Sequence, residues 1–501
     1  MGVRPANRRR FIRTWPLILA TLALTILVGL IGSIAGPKWN PTPVSSVPQV
    51  DSADVAITPA GADVPAEGTY EVQRTELRID LGEVEVSAWL VEPVDAPPGP
   101  GVVFIHGAGT VDPDAFTQQV TALASAGIRA IVPAKRMDTY STRERDYGAM
   151  AEDYLRSWEV MRELPGVDRE RVGFYGESEG AWIAPIAAAR QPEVDFVILA
   201  SAPVVSPREQ AAYATANYLY NTNVPRGMFR AIPRALGAKI PGGGFEYVDF
   251  DVRPFLEELH QPVLMAYGTA DASMPIVQGA QIVREHMWAH GNDALTVRYF
   301  EGADHGLHVN GDLAPGLTRA LSDWVWGLPE TAHPAERVAG AQPTQRFLAE
   351  PVPEPQWYAS GDLLIYSALA VVLLSLAGVL LCTWAAIRKR EWGAVPRYAI
   401  ATVLAAFAVV AVFIGYVGQV ADLAVNYRLN DPLVLGGWAL VHVTGLFAVV
   451  VAVLSIRRSY LARKRGQVLS RATRAGAWSC HLGALAMLII AAYWGVFPGA
   501  G

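Results

Sequence analysis

The chain has 501 residues, a net charge of −6, two cysteines and 51% hydrophobic residues. The slightly negative charge argues against a nucleic-acid partner, and two cysteines exclude a disulfide scaffold. A mean hydropathy above zero excludes a soluble domain alone.

The first apolar run, Trp15 to Ala35, follows Arg4, Arg8, Arg9, Arg10 and Arg13. It is longer than the roughly 7–15 apolar residues of a signal-peptide core. An uncleaved signal-anchor is therefore expected, with cleavage near the small residues Gly32-Ser33-Ile34-Ala35-Gly36 as the alternative. Residues 37–67 are rich in Pro, Ser and Ala and read as a linker. Tyr70–Leu81 and Val84–Glu92 alternate as an antiparallel edge hairpin would.

Gly101-Val102-Val103-Phe104-Ile105 reads as a buried strand running into His106-Gly107-Ala108-Gly109-Thr110. Small residues there let backbone N–H groups approach a carbonyl oxygen closely, whereas His106 is expected to be structural. Arg145–Leu164 has helical spacing. Arg171-Val172-Gly173-Phe174-Tyr175 is a further strand, followed by Gly176-Glu177-Ser178-Glu179-Gly180 and a helix-like run from Ala181 to Ala189. A strand, a Gly-x-Ser-x-Gly turn and a helix make a nucleophile elbow, which projects the serine Oγ above a sheet. Glu177 either adds negative charge beside that site, faces solvent or pairs with an arginine.

Val194–Ala200 is another buried-type strand. The insertion from Pro207 to Leu259 contains Tyr213, Tyr218, Tyr220, Phe229 and Phe245, which would either line an apolar acyl pocket or pack inside a cap. Pro262–Tyr267 is a strand ending in Gly268-Thr269-Ala270-Asp271, and Leu295–Phe300 a strand running into Glu301-Gly302-Ala303-Asp304-His305-Gly306. After an elbow, the order serine, acid, histidine is expected. Ser178 is thus the candidate nucleophile, Asp271 the orienting acid and His305 the general base. Asp304 is the rival acid, disfavoured because it adjoins His305; His308 is the rival base. The candidate oxyanion donors are the N–H groups of Ala108, with Gly107 or Gly109 as the alternatives to it, and Glu179.

Residues 330–360 form a second Pro-rich linker. Four further apolar runs follow, at about Leu363–Ile387, Tyr398–Val420, Leu435–Ile456 and Gly476–Val496. Each approaches or exceeds the ~20 residues needed to cross a bilayer core, and aromatic residues such as Trp357, Trp392, Tyr398, Trp438 and Trp494 lie near run ends. Arg388, Lys389, Arg390 and Arg397, and the group from Arg457 to Arg474, occupy two connections, whereas Ala421–Val434 has Arg428 alone. The positive-inside rule then sets the N-terminus inside, and the region between the first two apolar runs and the C-terminus outside.

The motifs from Phe104 to Gly107, Gly173 to Gly180, Tyr267 to Asp271 and Gly302 to Gly306 resemble the α/β-hydrolase superfamily, in its dienelactone-hydrolase and prolyl-oligopeptidase-like branch. The resemblance implies a doubly wound α/β sheet with a cap insertion at about 207–259, here joined to an all-α transmembrane part, with about five spans in total. The expected domains are an anchor at 1–36, the linker 37–67, the hydrolase at 68–329, the linker 330–360 and a four-helix membrane domain at 361–501. The implied activity is hydrolysis of carboxylic esters or thioesters through an acyl-serine. An acyltransferase, a serine peptidase or a non-catalytic transport or signalling lobe are the alternatives. No cofactor or metal is called for. The expected partners are an acyl-ester small molecule or envelope lipid and the cell membrane itself, with no nucleic acid.

Overall fold

The computed structural model describes residues 6–59, 64–239, 243–388, 390, 392–426 and 428–497, with side chains from Trp15 onward. The chain divides into two compact units. One comprises Pro41–Ala214 and Gly242–Pro351, the other Met1–Asn40, Thr215–Pro241 and Val352–Gly501.

The first unit is built on a nine-stranded sheet. In chain order the elements are β1 (Val72–Asp80), β2 (Glu85–Pro93), β3 (Gly99–Ile105), α2 (Thr117–Ser125), β4 (Arg129–Pro133), α3 (Tyr147–Glu163), β5 (Val167–Glu177), α4 (Gly180–Arg190), β6 (Val197–Ala200), α5 (Pro207–Asn221), α6 (Ala231–Leu236), α7 (Arg253–Glu257), β7 (Val263–Gly268), α8 (Ile276–Ala289), β8 (Leu295–Phe300), β9 (His308–Val309), β10 (Asp312–Leu313), α9 (Leu317–Trp326) and β11 (Val338–Gly340). Helix α1 (Ala6–Ile34) precedes them, and α6 and the C-terminal half of α5 belong to the second unit.

The strand order is β1-β2-β4-β3-β5-β6-β7-β8-β11. Only the pairings of β1 with β2 and β2 with β4 are antiparallel. From β4 to β11 the sheet is parallel. Strands β3, β7 and β8 are buried along their whole length, as continuous apolar runs covered on both faces should be. One face packs against α3, α4 and α8 through Trp158, Ile183 and Val277. The other packs against α2 and α9 through Leu123 and Trp324. Strand β5, which carries the elbow, lies at the centre of the order.

The segments expected as linkers are laid onto this unit. Val338–Gly340 adds the edge strand β11 alongside β8, and Ser52 bridges to Ala339 and Pro43 to Phe347. Gln345 reaches the start of α8, where its Oε1 accepts from the N–H groups of Val277 at 2.9 Å and Gln278 at 3.0 Å. Those amides have no partner within a helix, which is why a side chain from a Pro-rich stretch is held there. The expected boundaries 68 and 329 therefore fall inside the unit rather than at its ends.

The second unit holds α1, α10 (Gly361–Arg388), α11 (Ala394–Val425), α12 (Asp431–Lys464) and α13 (Arg471–Tyr493). Among the described residues five helices, with α1 counted from Trp15, are long and apolar enough to cross a membrane, with mean hydropathy between 1.7 and 2.6. Helices α10 and α13 approach through small residues. A Cβ on Gly378 would lie 2.7 Å from the Cys480 nitrogen, and one on Gly476 would lie 2.9 Å from the Cys382 nitrogen. Such close backbone approach is the usual packing device between spans. The two span histidines are tied to neighbours: His481 Nε2 lies 2.7 Å from Ser455 Oγ and His442 Nδ1 donates to the Val496 carbonyl at 2.6 Å.

The insertion expected as a single cap is divided. Thr215–Pro241 belongs to the membrane unit. There Asn223 donates to Asp431 at 3.1 Å, Arg230 donates to Ser33 at 3.1 Å, and a Cβ on Gly227 would lie 2.8 Å from Trp438. Tyr220 packs on Phe229 within that segment. Tyr213 packs on Phe347, and Tyr247 and Phe250 on Tyr147, in the hydrolase unit.

Candidate active site

Ser178 sits between the end of β5 and the start of α4 with φ = 54°, a left-handed conformation that costs a non-glycine residue strain. The flanking glycines have a steric cause. A Cβ on Gly176 would lie 2.5 Å from the Gly180 carbonyl oxygen, and one on Gly180 would lie 2.3 Å from that of Ile105. Only a chain without side chains at both positions can turn so tightly from strand into helix.

His305 follows β8 and Asp271 follows β7, so two neighbouring parallel strands deliver them to the same edge of the sheet. His305 Nε2 lies 3.0 Å from Ser178 Oγ, and Nδ1 lies 2.9 Å from Asp271 Oδ2. The Asp271 side chain is fully buried. Its Oδ1 accepts from the Ser273 N–H at 2.7 Å and the Met274 N–H at 3.2 Å. Asp304 is turned into its own loop, where Oδ1 accepts from the N–H groups of Gly306 and His308 at 3.0 Å each. His308 contacts Asp304 at 4.0 Å and is partly exposed.

Burial pulls the His305 pKa down, but Asp271, by attraction and by its hydrogen bond, with Glu177 and Asp304 behind it, raises it overall above the ordinary value. Glu177 is partly buried. Burial raises its carboxyl to about 7, against the opposing pull of His305 and of the Tyr175 hydroxyl, which donates to Glu177 Oε2 at 3.3 Å. Glu177 has no arginine ion pair among the described residues, and its one described side-chain partner is Tyr175. His106 is buried, and its Nε2 donates to the Pro133 carbonyl at 2.7 Å. Burial lowers its pKa to about 4, so it is neutral and holds the loop.

Glu179 is buried and its backbone opens α4. Its N–H therefore lies in the first turn, where amides lack helical partners and the helix dipole favours negative charge. Its carboxylate accepts from Lys135 Nζ at 2.9 Å, Tyr140 at 2.9 Å, Arg145 at 2.5 Å and Tyr147 at 3.3 Å. None of these four partners was legible as a site residue, because each is remote in sequence. Ala108 is exposed, while Gly107 before it is buried. A Cβ on Gly107 would lie 3.1 Å from Ser178 Cβ, so this loop runs directly beside the serine. No group of three or more His, Cys, Asp or Glu side chains placed to hold a metal is found among the described residues.

A mostly parallel sheet wound on both faces, with an elbow serine at its centre, is the α/β-hydrolase fold, here carried on a chain with five long apolar helices among the described residues. Residues 140–327 match the model of the prolyl oligopeptidase family. Solved structures that resemble this chain include dienelactone hydrolase from Anabaena variabilis, at 16% identity over 51% of this chain and 96% of that one, with a TM-score of 0.35. Acylaminoacyl peptidase from Pyrococcus horikoshii is also similar, at 16% identity over 51% and 40% of the two chains, TM-score 0.37. So is Est1E from Butyrivibrio proteoclasticus, at 15% identity over 51% and 98%, TM-score 0.35. No curated protein matches the chain by sequence.

Proposed function

We propose that this protein is a membrane-anchored serine hydrolase that cleaves carboxylic esters or thioesters through an acyl-enzyme, with its hydrolase unit outside the cytoplasmic membrane. The observation that carries the reading is the unbroken line from Ser178 Oγ through His305 to the buried Asp271. His305 Nε2 takes the Ser178 proton as Oγ attacks the acyl carbon, and later returns it to the leaving group. Asp271 holds the imidazole in the tautomer that leaves Nε2 free to accept, and stabilises the imidazolium. The oxyanion is received by the N–H groups of Ala108 and Glu179. Water deacylates the serine, unless an alcohol is better placed and the acyl group is transferred.

The external placement rests on the arginine and lysine asymmetry between the connections of the apolar runs. A membrane-derived acyl substrate is favoured because Thr215–Pro241, within the insertion of the hydrolase fold, belongs to the unit of apolar helices. The prolyl oligopeptidase match over residues 140–327 favours a second reading, peptide cleavage by the same residues. The test is fluorophosphonate labelling of membranes containing the wild-type chain or Ser178→Ala, followed by a panel of esters, thioesters and peptide amides. Labelling of wild type alone, with ester or thioester turnover, is expected. Equal labelling of both forms would remove Ser178 as nucleophile, and amide cleavage at ester-like rates would select the peptidase reading.

A further inference from the structure

We propose that Lys135 is a positioning residue whose buried ammonium sets the geometry of both halves of the oxyanion hole. The inference rests on the acyl-transfer reading above. Lys135 follows β4, on the strand next to β3, and its side chain is 1% exposed. Nζ donates to the Gly107 carbonyl at 2.7 Å and to Glu179 Oε2 at 2.9 Å. An ammonium out of water is costly unless paired and hydrogen-bonded, so its presence between these two acceptors calls for a reason beyond filling space.

The Gly107 carbonyl belongs to the same peptide unit as the Ala108 N–H. A trans peptide is planar, with the C=O and N–H pointing in opposite directions. A cation fixed on the oxygen therefore fixes the direction of the N–H, and polarises it as well. Glu179 supplies the other donor through its own backbone, and its carboxylate is the second anchor of the lysine. One side chain thus ties together two segments 72 residues apart that must converge on one oxygen atom.

The surrounding bonds make the same segment of β4 a clamp. Pro133 accepts from His106, and the Lys135 N–H donates to the Val111 carbonyl at 3.1 Å. The loop is held at residues 106, 107 and 111 from one side, with Ser178 against its Gly107. Arg145 would remain on Glu179 if Lys135 were removed. The Gly107 oxygen would keep only the neutral Thr110 hydroxyl, at 3.2 Å, among its described side-chain donors. The predicted consequence is a looser Ala108 N–H with the ion pair of Glu179 intact, an effect on the transition state rather than on substrate binding.

The experiment uses the full chain in detergent, its active fraction titrated by fluorophosphonate. Lys135→Met is expected to lower kcat/KM for an ester about 10- to 100-fold, somewhat less than the loss of a whole oxyanion donor, with KM changed less than about threefold. A trifluoromethyl ketone adds Ser178 Oγ to its carbonyl carbon, sends the π electrons to the oxygen and the serine proton to His305. Its affinity should fall by the same factor, while that of the matching secondary alcohol stays unchanged. Glu179→Gln, nearly isosteric, should show a smaller parallel loss and carries the test if Lys135→Met does not fold. Equal losses for ketone and alcohol, or kcat/KM within about threefold of wild type in a folded variant, would overturn the proposal. Failure of the wild type itself to label would instead defeat the acyl-transfer reading, and this inference with it.

Discussion

Asp271 and His305 are joined by a 2.9 Å hydrogen bond across the ends of two adjacent parallel strands, although His305 has another aspartate, Asp304, as its immediate chain neighbour. Asp304 is turned into its own loop, where its Oδ1 accepts from two amides, while His305 Nδ1 is held by Asp271 Oδ2. Asp271→Asn should therefore cost on the order of ten-thousand-fold in kcat, and Asp304→Asn less than about tenfold. Ester turnover by the two purified variants checks this; the reverse ranking would mean that Asp304 is the orienting acid.

Glu177, one residue before the nucleophile, gives a pH signature. His305 must be neutral to act as base, so kcat/KM should rise as pH passes through its raised pKa. Glu177→Gln removes a nearby negative charge and should move this limb to lower pH by about 0.5–1 unit. The stability effect has a definite sign. The folded-state pKa of Glu177 is about 7, above its ordinary 4.5, so stability is present below pH 4.5 and lost as pH rises through 7. Glu177→Gln should thus be more stable than wild type at pH 8, by on the order of 1–3 kcal/mol, and equal to it at pH 4. Urea unfolding at both pH values decides; a limb that stays in place would show that Glu177 does not couple to His305.

The segment around Gln345 should behave as folded structure. Gln345→Ala removes the acceptor for two α8 amides and should cost about 1–2 kcal/mol. It should also make residues 331–351 markedly more sensitive to protease. Cleavage there as rapid in the wild type as in the variant would mean that the segment is the free linker its composition suggests.

Much of the site is legible in the sequence because each part has a local signature: the elbow glycines around Ser178, and an acid and a histidine directly after apolar strands. Lys135 is not legible, since a lone lysine reads as surface and its pairing with Glu179 spans 44 residues. Strand β4 is short, and β11 is three residues in a Pro- and Ala-rich stretch, where no periodicity can develop. The division of the insertion at Ala214 was equally hidden. It depends on which surface Gly227 and Asn223 pack against, and that is decided by Trp438 and Asp431, more than 200 residues away.

The asymmetry of arginine and lysine between the connections predicts the orientation of the chain. Arg388 ends α10, Arg390 follows it and Arg397 lies in the first turns of α11, and Arg457 to Arg474 lie around the end of α12, while the connection between α11 and α12 has Arg428 paired with Asp422. A reporter fused after Gly501 should therefore be active outside the cell, and one inserted near Gly466 inside. Cytoplasmic readout from the Gly501 fusion would remove one apolar helix from the membrane or reverse the chain.

The substrate preference should follow from where the chain resides. An acyl chain taken up from water gains about 0.8 kcal/mol for each CH₂ it buries on the enzyme, roughly a fourfold increase in kcat/KM per methylene until the available space is full. Medium-chain esters or thioesters should outperform acetyl esters, with peptide amides poor. The increase should hold for dispersed substrates in detergent, because the triad lies within one unit of the chain. For substrates embedded in vesicles, the full chain reconstituted in the same membrane should be faster than the chain added in detergent micelles, because Thr215–Pro241 travels with the apolar helices. Chain-length series measured in both formats separate the two effects. A maximum at acetyl would refute the buried acyl chain, whereas equal rates in the two formats would refute delivery from the membrane and leave the chemistry of Ser178, His305 and Asp271 untouched.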